Sequence, residues 1–265
     1  MPTKPGHKSP KTILITGASS GIGEALALHY AVPGVSLYLT GRNVARLNNV
    51  ADICRQQGAK VENFEINVTD RDGMDTLINH LDDQTPIDLV IANAGISGGT
   101  GVIQGESEEQ VRAIFATNVD GVFNTVLPLV PRMTKRGGGQ IAIMSSLAAF
   151  TGWPGAPAYS ASKAAVRIFG EALRGSLRQS GVKVSVICPG FIESRMTAVN
   201  EFKMPLLMPA QKAAAIIARG LAYDRGRIAF PWPTYLISAL VGCLPLPLTT
   251  MILTKLPAKS SNSSQ

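Results

Sequence analysis

Tyr159 and Lys163 stand four residues apart in the run Tyr159-Ser160-Ala161-Ser162-Lys163. On a helix that spacing puts a phenol and an ammonium on one face, with Cβ atoms about 5–6 Å apart. A free tyrosine has a pKa of about 10, and a neighbouring cation favours the phenolate and lowers that value. The pair therefore suits proton exchange with a substrate oxygen. Ser146, thirteen residues before Tyr159, follows the apolar run Ile141-Ala142-Ile143-Met144. If that run is a parallel strand, it delivers the hydroxyl to the carboxyl edge of a sheet, where open α/β folds bind ligands. A hydroxyl there can bond a substrate oxygen as charge develops on it.

A second constellation suits a dinucleotide. Thr16-Gly17-Ala18-Ser19-Ser20-Gly21-Ile22-Gly23 joins the first apolar run to the first helix-like segment. Gly17, Gly21 and Gly23 let the backbone turn sharply and approach a pyrophosphate, and the turn and helix start through Ser19, Ser20 and Ile22 offer free N–H groups. At the end of the second run lies Leu39-Thr40-Gly41-Arg42-Asn43. An acidic residue there would bond the adenosine ribose of NAD and repel the extra phosphate of NADP. Gly41 followed by the Arg42 guanidinium, with Arg46 a helical turn later, suits a 2′-phosphate gripped by paired charge-assisted hydrogen bonds. The expected cofactor is NADP(H).

These residues need a frame. Short apolar runs at 12–16, 35–40, 61–67, 89–93, 141–145 and 182–188 alternate with helix-period segments at 21–30, 44–57, 71–82, 108–133 and 158–180. The runs are rich in Val, Ile and Leu, as strands covered on both faces are. Strand and helix in alternation predict right-handed crossovers and an α/β, single-domain, Rossmann-like, doubly wound parallel sheet flanked by helices. The expected divisions are a disordered basic tail over 1–10, a catalytic domain over 11–229, an apolar helical extension over 230–257 and a disordered tail over 258–265.

The glycine spacing Gly17-x-x-x-Gly21-x-Gly23, with Tyr159-x-x-x-Lys163, resembles the short-chain dehydrogenase/reductase family, and the resemblance runs from about residue 12 to 223. It implies a hydride-transferring enzyme in which Tyr159 is the general acid and base, Ser146 holds the substrate oxygen, and Lys163 lowers the Tyr159 pKa and bonds the nicotinamide ribose. It implies a fourth catalytic position at Asn118, in Phe115-Ala116-Thr117-Asn118-Val119, holding a water that links Lys163 to solvent. It assigns Asn67 and Val68 to the adenine pocket, although many relatives carry Asp at the first of these positions. Asn93, Ala94 and Gly95 would lie against the cofactor, and Pro189, Gly190 and Ile192 over the nicotinamide carboxamide. Ser194 stands where relatives often have Thr. In the family, residues 195–209, with Met196, Phe202, Met204, Leu206, Leu207 and Met208, correspond to a mobile lid, and the apolar content predicts a hydrophobic ketone or secondary alcohol as substrate. A non-catalytic NADP-binding sensor or a membrane-attached scaffold would share the fold, but neither needs Ser146, Tyr159 and Lys163 together.

Composition sets the remaining bounds. The chain has 265 residues, a formal net charge of +7 and 45% apolar content, enough for one substantial core. The basic residues are scattered and accompany no reading module, which argues against nucleic acid. Cys54, Cys188 and Cys243 share no metal-ligand spacing; they are expected to be buried thiols, and no metal is expected. Charge without an apolar stretch before Lys11 predicts no signal peptide and a cytoplasmic protein. Residues 236–253 carry no charge, but Gly242, Pro245 and Pro247 interrupt them, so two short helices are expected rather than a span. Flanked by Trp232, Lys255 and Lys259, such a pair would lie at a membrane surface or against another subunit of a homo-oligomer.

Overall fold

A computed structural model describes residues 9–99, 105–198 and 204–254. Residues 1–8 of the tail expected over 1–10, the tail expected over 258–265, and Phe202, Lys255 and Lys259 lie outside the described residues. Seven parallel strands form one sheet: β1 (Thr12–Thr16), β2 (Ser36–Gly41), β3 (Lys60–Glu65), β4 (Leu89–Ala92), β5 (Gly139–Met144), β6 (Val182–Pro189) and β7 (Arg227–Phe230), in the order β3-β2-β1-β4-β5-β6-β7. The order reverses between β1 and β4, and the carboxyl edge at that switch point is where such sheets bind ligands.

The central strands form where the sequence supplies apolar runs, whereas the edge strand β3 exposes Lys60, Glu62 and Glu65. β1, β4 and most of β5 are buried along their length, as sheets with helices on both faces require. One hydrophobic cluster gathers Ile13, Leu37 and Ile187 under α1 (Gly21–Tyr30), α2 (Val44–Gln56) and α9 (Ala210–Ala222). The cluster on the other face gathers Leu14, Val90 and Ile143 under α3 (Arg71–Gln84) and α7 (Pro157–Ser176).

The structure departs from the sequence reading in several places. β7 was not expected; it is four residues long, begins with an exposed arginine and pairs with the last residues of β6. Because it runs to Phe230, it crosses the expected boundary at 229/230. The expected helix over 108–133 is broken into α4 (Glu108–Phe115), a π turn (Ala116–Asp120), α5 (Gly121–Val126) and α6 (Leu129–Lys135). Pro128 lacks the N–H that would carry α5 into α6. The helix expected over 158–180 stops at Ser176 and ends in a 3₁₀ turn (Arg178–Ser180) closed by Gly181 at φ +74°. Cys54 and Cys188 are buried, whereas Cys243 is exposed, because the last elements, α10 (Trp232–Gly242) and α11 (Leu246–Leu253), sit outside the main core.

Helix α7 carries the Tyr159-Lys163 face and lies against β5 and β6. The approach is close enough that a Cβ on Gly170 would stand 2.6 Å from Val186 Cγ2 and 3.1 Å from Ile143 Cδ1. Gly170→Ala should therefore push α7 off the sheet and destabilise the protein by about 1–3 kcal/mol, the usual cost of overpacking. Urea unfolding at fixed m-value measures it; an unchanged midpoint would show that the helix has slack there.

Candidate active site

The glycine turn is built by a clasp between β1 and β4. Thr16 Oγ1 accepts from the Asn93 and Ala94 N–H groups (3.1 and 3.2 Å), and Asn93 Nδ2 donates to the carbonyls of Thr16 and Gly17 (2.9 and 3.2 Å). Asn93 thus shapes the turn by bonding main chain. Gly17 adopts φ +67°, and a Cβ there would lie 2.8 Å from Ala94 Cα. Two costs, left-handed backbone and a backbone clash, bar a side chain at Gly17, and a Cβ on Gly23 would press still more closely on the Gly17 carbonyl and on Asn93 Nδ2. Ser20 precedes α1 in extended conformation without a side-chain cap, which leaves the first N–H groups of the helix facing outward from the turn.

Beside the cradle, Ser19 Oγ would lie 3.3 Å from a Cβ on Gly41. Arg42 follows, exposed and without a partner among the described residues. Asn43 caps α2 by accepting from the Arg46 N–H (3.0 Å), and the buried Arg46 Nε has no hydrogen-bond partner among the described residues. Asn67 is exposed, its Oδ1 accepting from the Thr69 N–H (3.2 Å). Val68 is buried, and a Cβ on Gly121 would lie 2.6 Å from its Cγ2. On the far side Gly190 N–H donates to the Phe230 carbonyl (2.8 Å), and Ile192 is buried and bridged to Met208. Pro189 ends β6.

At the centre, Tyr159, Ser146 and Lys163 come together. The Tyr159 hydroxyl is hydrogen-bonded to the Ser146 side chain, and Ser146 Oγ also accepts from the Ala148 N–H (3.1 Å). Lys163 is 3% exposed, its Nζ donates to the Met144 carbonyl (3.0 Å) and lies 5.9 Å from the Tyr159 ring centre. The neighbouring Ser145 is committed elsewhere: its Oγ donates to the Lys163 carbonyl (2.8 Å), pinning α7 to the end of β5.

Asn118 sits in the π turn, fully buried. Its Oδ1 accepts from the Ile96 N–H (2.8 Å), and its Nδ2 donates to the Ile96 carbonyl (2.9 Å) and to Ser162 Oγ (3.0 Å). A Cβ on Gly95 would meet both Asn118 Oδ1 (3.0 Å) and Lys163 Nζ (3.2 Å), so Gly95 is the small residue that lets these two groups share one wall.

Electrostatics correct one expectation. Burial pushes the Tyr159 phenol above its ordinary value, with the Ser146 hydrogen bond opposing. The expected lowering by Lys163 does not prevail, because the ammonium is turned to the Met144 carbonyl and is itself desolvated. Burial brings Lys163 down to about 8, with the Cys188 sulfur opposing weakly.

Two contributors escaped the sequence reading. Ser162 Oγ donates to the Tyr159 carbonyl (2.8 Å) while accepting from Asn118, tying α7 to the π turn. Glu106 Oε2 accepts from the Ala158 N–H (2.7 Å), capping α7 one residue before Tyr159; Ala156 provides no side-chain cap of its own. Serine at i+3 on an amphipathic helix and a glutamate in a loop carry no local signal. Among the described residues, no group of three or more His, Cys, Asp or Glu is placed to hold a metal.

Comparison with known proteins agrees with this geometry. The short chain dehydrogenase family model matches residues 11–204. An uncharacterized oxidoreductase of Myxococcus xanthus is 41% identical over 241 residues, covering 91% of this chain and 95% of that protein. Among solved structures, a short-chain dehydrogenase from Sphingobium yanoikuyae in complex with NADPH has a TM-score of 0.78 at 24% identity, covering 95% of this chain and 98% of its own. A short chain dehydrogenase/reductase from Burkholderia phymatum in complex with NAD has a TM-score of 0.80 at 24% identity, covering 96% and 98%. The chain belongs to the short-chain dehydrogenase/reductase family and is an oxidoreductase of that family.

Burying Lys163 has a thermodynamic signature. A lysine with a folded pKa of about 8 against an ordinary 10.5 binds fewer protons folded than unfolded between those values, so stability rises with pH across that window. The penalty is fully present below about 8 and amounts to roughly 3 kcal/mol there. Lys163→Met should stabilise the cofactor-free protein at neutral pH by about 1–2 kcal/mol, the lost bond to the Met144 carbonyl taking back the rest. The gap should narrow as pH rises toward 10.5. Denaturation across this range checks it; parallel curves would mean an ordinary lysine.

Proposed function

We propose that the protein is an NADP(H)-dependent reductase or dehydrogenase acting on a hydrophobic ketone or secondary alcohol. The observation that carries the reading is the Tyr159 hydroxyl, held by Ser146 beside the buried Lys163 amine at the switch-point edge of the sheet.

The residues present fit a dinucleotide. A Cβ at Gly17 would fill the turn, and the free N–H groups at the start of α1 suit a pyrophosphate. Ser19, Ser20, Gly21, Ile22 and Gly23 would line that part. Gly41 and Arg42 would face the ribose phosphate, Asn67 and Val68 the adenine, and Asn93, Ala94 and Gly95 the middle of the molecule. Pro189, Gly190 and Ile192, with Lys163, would hold the nicotinamide end. When bound, the cofactor supplies or accepts the hydride. The solved relatives differ, one carrying NADPH and one NAD, so the preference rests on this chain's own residues. A neutral Gly41 followed by Arg42, with Arg42 and the Arg46 Nε both without a partner among the described residues, favours a 2′-phosphate.

In the reductive direction Tyr159 donates its proton to the substrate oxygen, and Ser146 bonds the same oxygen while charge develops on it. The raised phenol is protonated at neutral pH, the form that a general acid needs. Lys163 supplies positive charge behind the phenol as the proton leaves, and Asn118 forms part of the wall beside the amine. In the segment after Ser194, Met196 and Met204 are part-buried and Leu206 and Leu207 exposed, which supports an apolar substrate. Family membership supports a homo-oligomer and a cytoplasmic setting.

Tyr159→Phe should lower NADPH-dependent ketone reduction by at least about a hundredfold, the usual range for loss of a general acid. Alcohol oxidation by the wild type should climb steadily with alkaline pH as the phenol ionises. Wild-type turnover by the phenylalanine variant, followed as NADPH absorbance, would remove Tyr159 as proton donor.

Arg42→Ala should weaken NADPH binding by about tenfold or more while leaving NADH nearly unchanged, since a charge-assisted bond contributes about 1.5–3 kcal/mol. Equal losses for both nucleotides, read by fluorescence titration, would take Arg42 off the phosphate.

A further inference from the structure

The described surface carries one large feature that the reaction leaves unused. Residues 231–254 contain no Asp, Glu, Lys or Arg, yet α10 has no buried residue and α11 buries Leu253 alone. Trp232 is 72% exposed and Leu246 77%, with Ile237, Leu240, Leu248 and Met251 also bare.

We propose that α10 and α11 form a docking face for the surface of an anionic phospholipid bilayer, and that this face opens onto the active site. Their lengths exclude a span: at 1.5 Å per residue, 11 and 8 residues rise about 16 and 12 Å, against a hydrocarbon core of roughly 30 Å. Their distribution of side chains argues against a flat protein partner. At 100° per residue, Leu246 and Leu248 project about 200° apart, so both are covered only if α11 is immersed. A protein interface also carries a polar rim, and 24 consecutive uncharged residues supply little of one. Charge completes the fit. The chain is +7 overall, and Lys255 and Lys259 follow the apolar stretch directly, the basic flank that adds attraction to anionic lipid. Trp232, at the start of α10, is the residue type that settles at headgroup level.

The face is continuous with the site. α10 springs from β7, whose Phe230 carbonyl receives the Gly190 N–H (2.8 Å). Tyr235 of α10 packs edge-on against Phe150 (ring centres 5.3 Å apart), and Phe150 follows the 3₁₀ turn (Leu147–Ala149) that begins next to Ser146. A bilayer seated on α10 therefore borders the substrate side of the sheet, and the substrate class is narrowed to ketones or alcohols dissolved in lipid. That narrowing rests on the proposed reductase reading; the docking itself does not.

The test uses the full chain with phosphatidylcholine vesicles, with or without one part in three of phosphatidylglycerol, and the L240E/L246E variant, whose fold is checked by circular dichroism and melting. Wild type should float with the anionic vesicles and its tryptophan emission should shift to the blue, while partition of the variant falls by at least about tenfold. Wild type that stays below vesicles of both compositions overturns the proposal, and an oligomer that the double substitution splits in the ultracentrifuge would assign the face to a second copy instead. In a second arm, the variant should lose rate on a vesicle-borne long-chain methyl ketone but keep it on a short water-soluble ketone; equal rates on both overturn the feeding role. Flotation is read without cofactor or substrate, so absence of turnover by wild type would defeat the reductase reading and leave the docking result standing.

Discussion

Helix α7 sits directly on the sheet, and the rest of the site follows from that contact. With hydrogen in place of a side chain at Gly170, the helix approaches Val186 and Ile143, and at its other end Ser145 Oγ holds the Lys163 carbonyl. So close a seat expels water from around Lys163, which is why the amine turns to the Met144 carbonyl and its pKa falls to about 8. A charged group kept in such a place weakens the fold to serve a site, a trade familiar where function needs strain or desolvation. The same exclusion of water raises Tyr159 and makes its bond to Ser146 stronger than it would be in solvent.

The two halves of the site are joined by polar clasps rather than by core packing. Thr16 and Asn93 lock the glycine turn to β4, and Asn118 locks the following loop to the π turn through both polar atoms of Ile96. Ser162 then connects Asn118 to the backbone of Tyr159. A continuous chain of satisfied hydrogen bonds thus runs from the loop after β4 to α7. Every member is buried or partly so, and an unsatisfied member would cost more than a surface bond is worth. Glu106 adds a further tie at the start of α7, where a carboxylate is favoured by the helix dipole.

How much of this the sequence revealed depends on how local each signal is. Tyr159 and Lys163 declare themselves because a helix brings i and i+4 together whatever surrounds it. The glycine turn is legible because its left-handed and close-approach positions tolerate little else, and five strands are legible because buried parallel strands are largely apolar, while the edge strand β3 shows only an alternation of exposed Lys60 and Glu62 with buried Val61. β7 is not, being four residues that open with arginine. The π turn is hidden because its cause, the pairing of Asn118 with Ile96 and Ser162, spans 22 and 44 residues. The sense of the Tyr159 shift was misjudged for a related reason. Spacing reports that a cation is near, while only the packed fold reports that both groups are dry and that the ammonium has another partner.

The C-terminal helices continue this logic at the surface. α10 touches the site through Phe150, which also lies 4.8 Å from the Arg167 guanidinium and 5.3 Å from that of Arg227. Arg227 in turn bonds Glu171 of α7 and the Tyr235 hydroxyl of α10. An aromatic ring in contact with two guanidiniums, one on α7 and one on the edge strand, makes a joint at which displacement of α10 reaches both α7 and the segment after Ser146. Individually each cation–π contact contributes only about 0.5–2 kcal/mol, but all of them hang on one ring. What sits on the outer face of α10 is therefore mechanically adjacent to the Tyr159 hydroxyl, although no residue of α10 belongs to the Tyr159, Ser146 and Lys163 cluster.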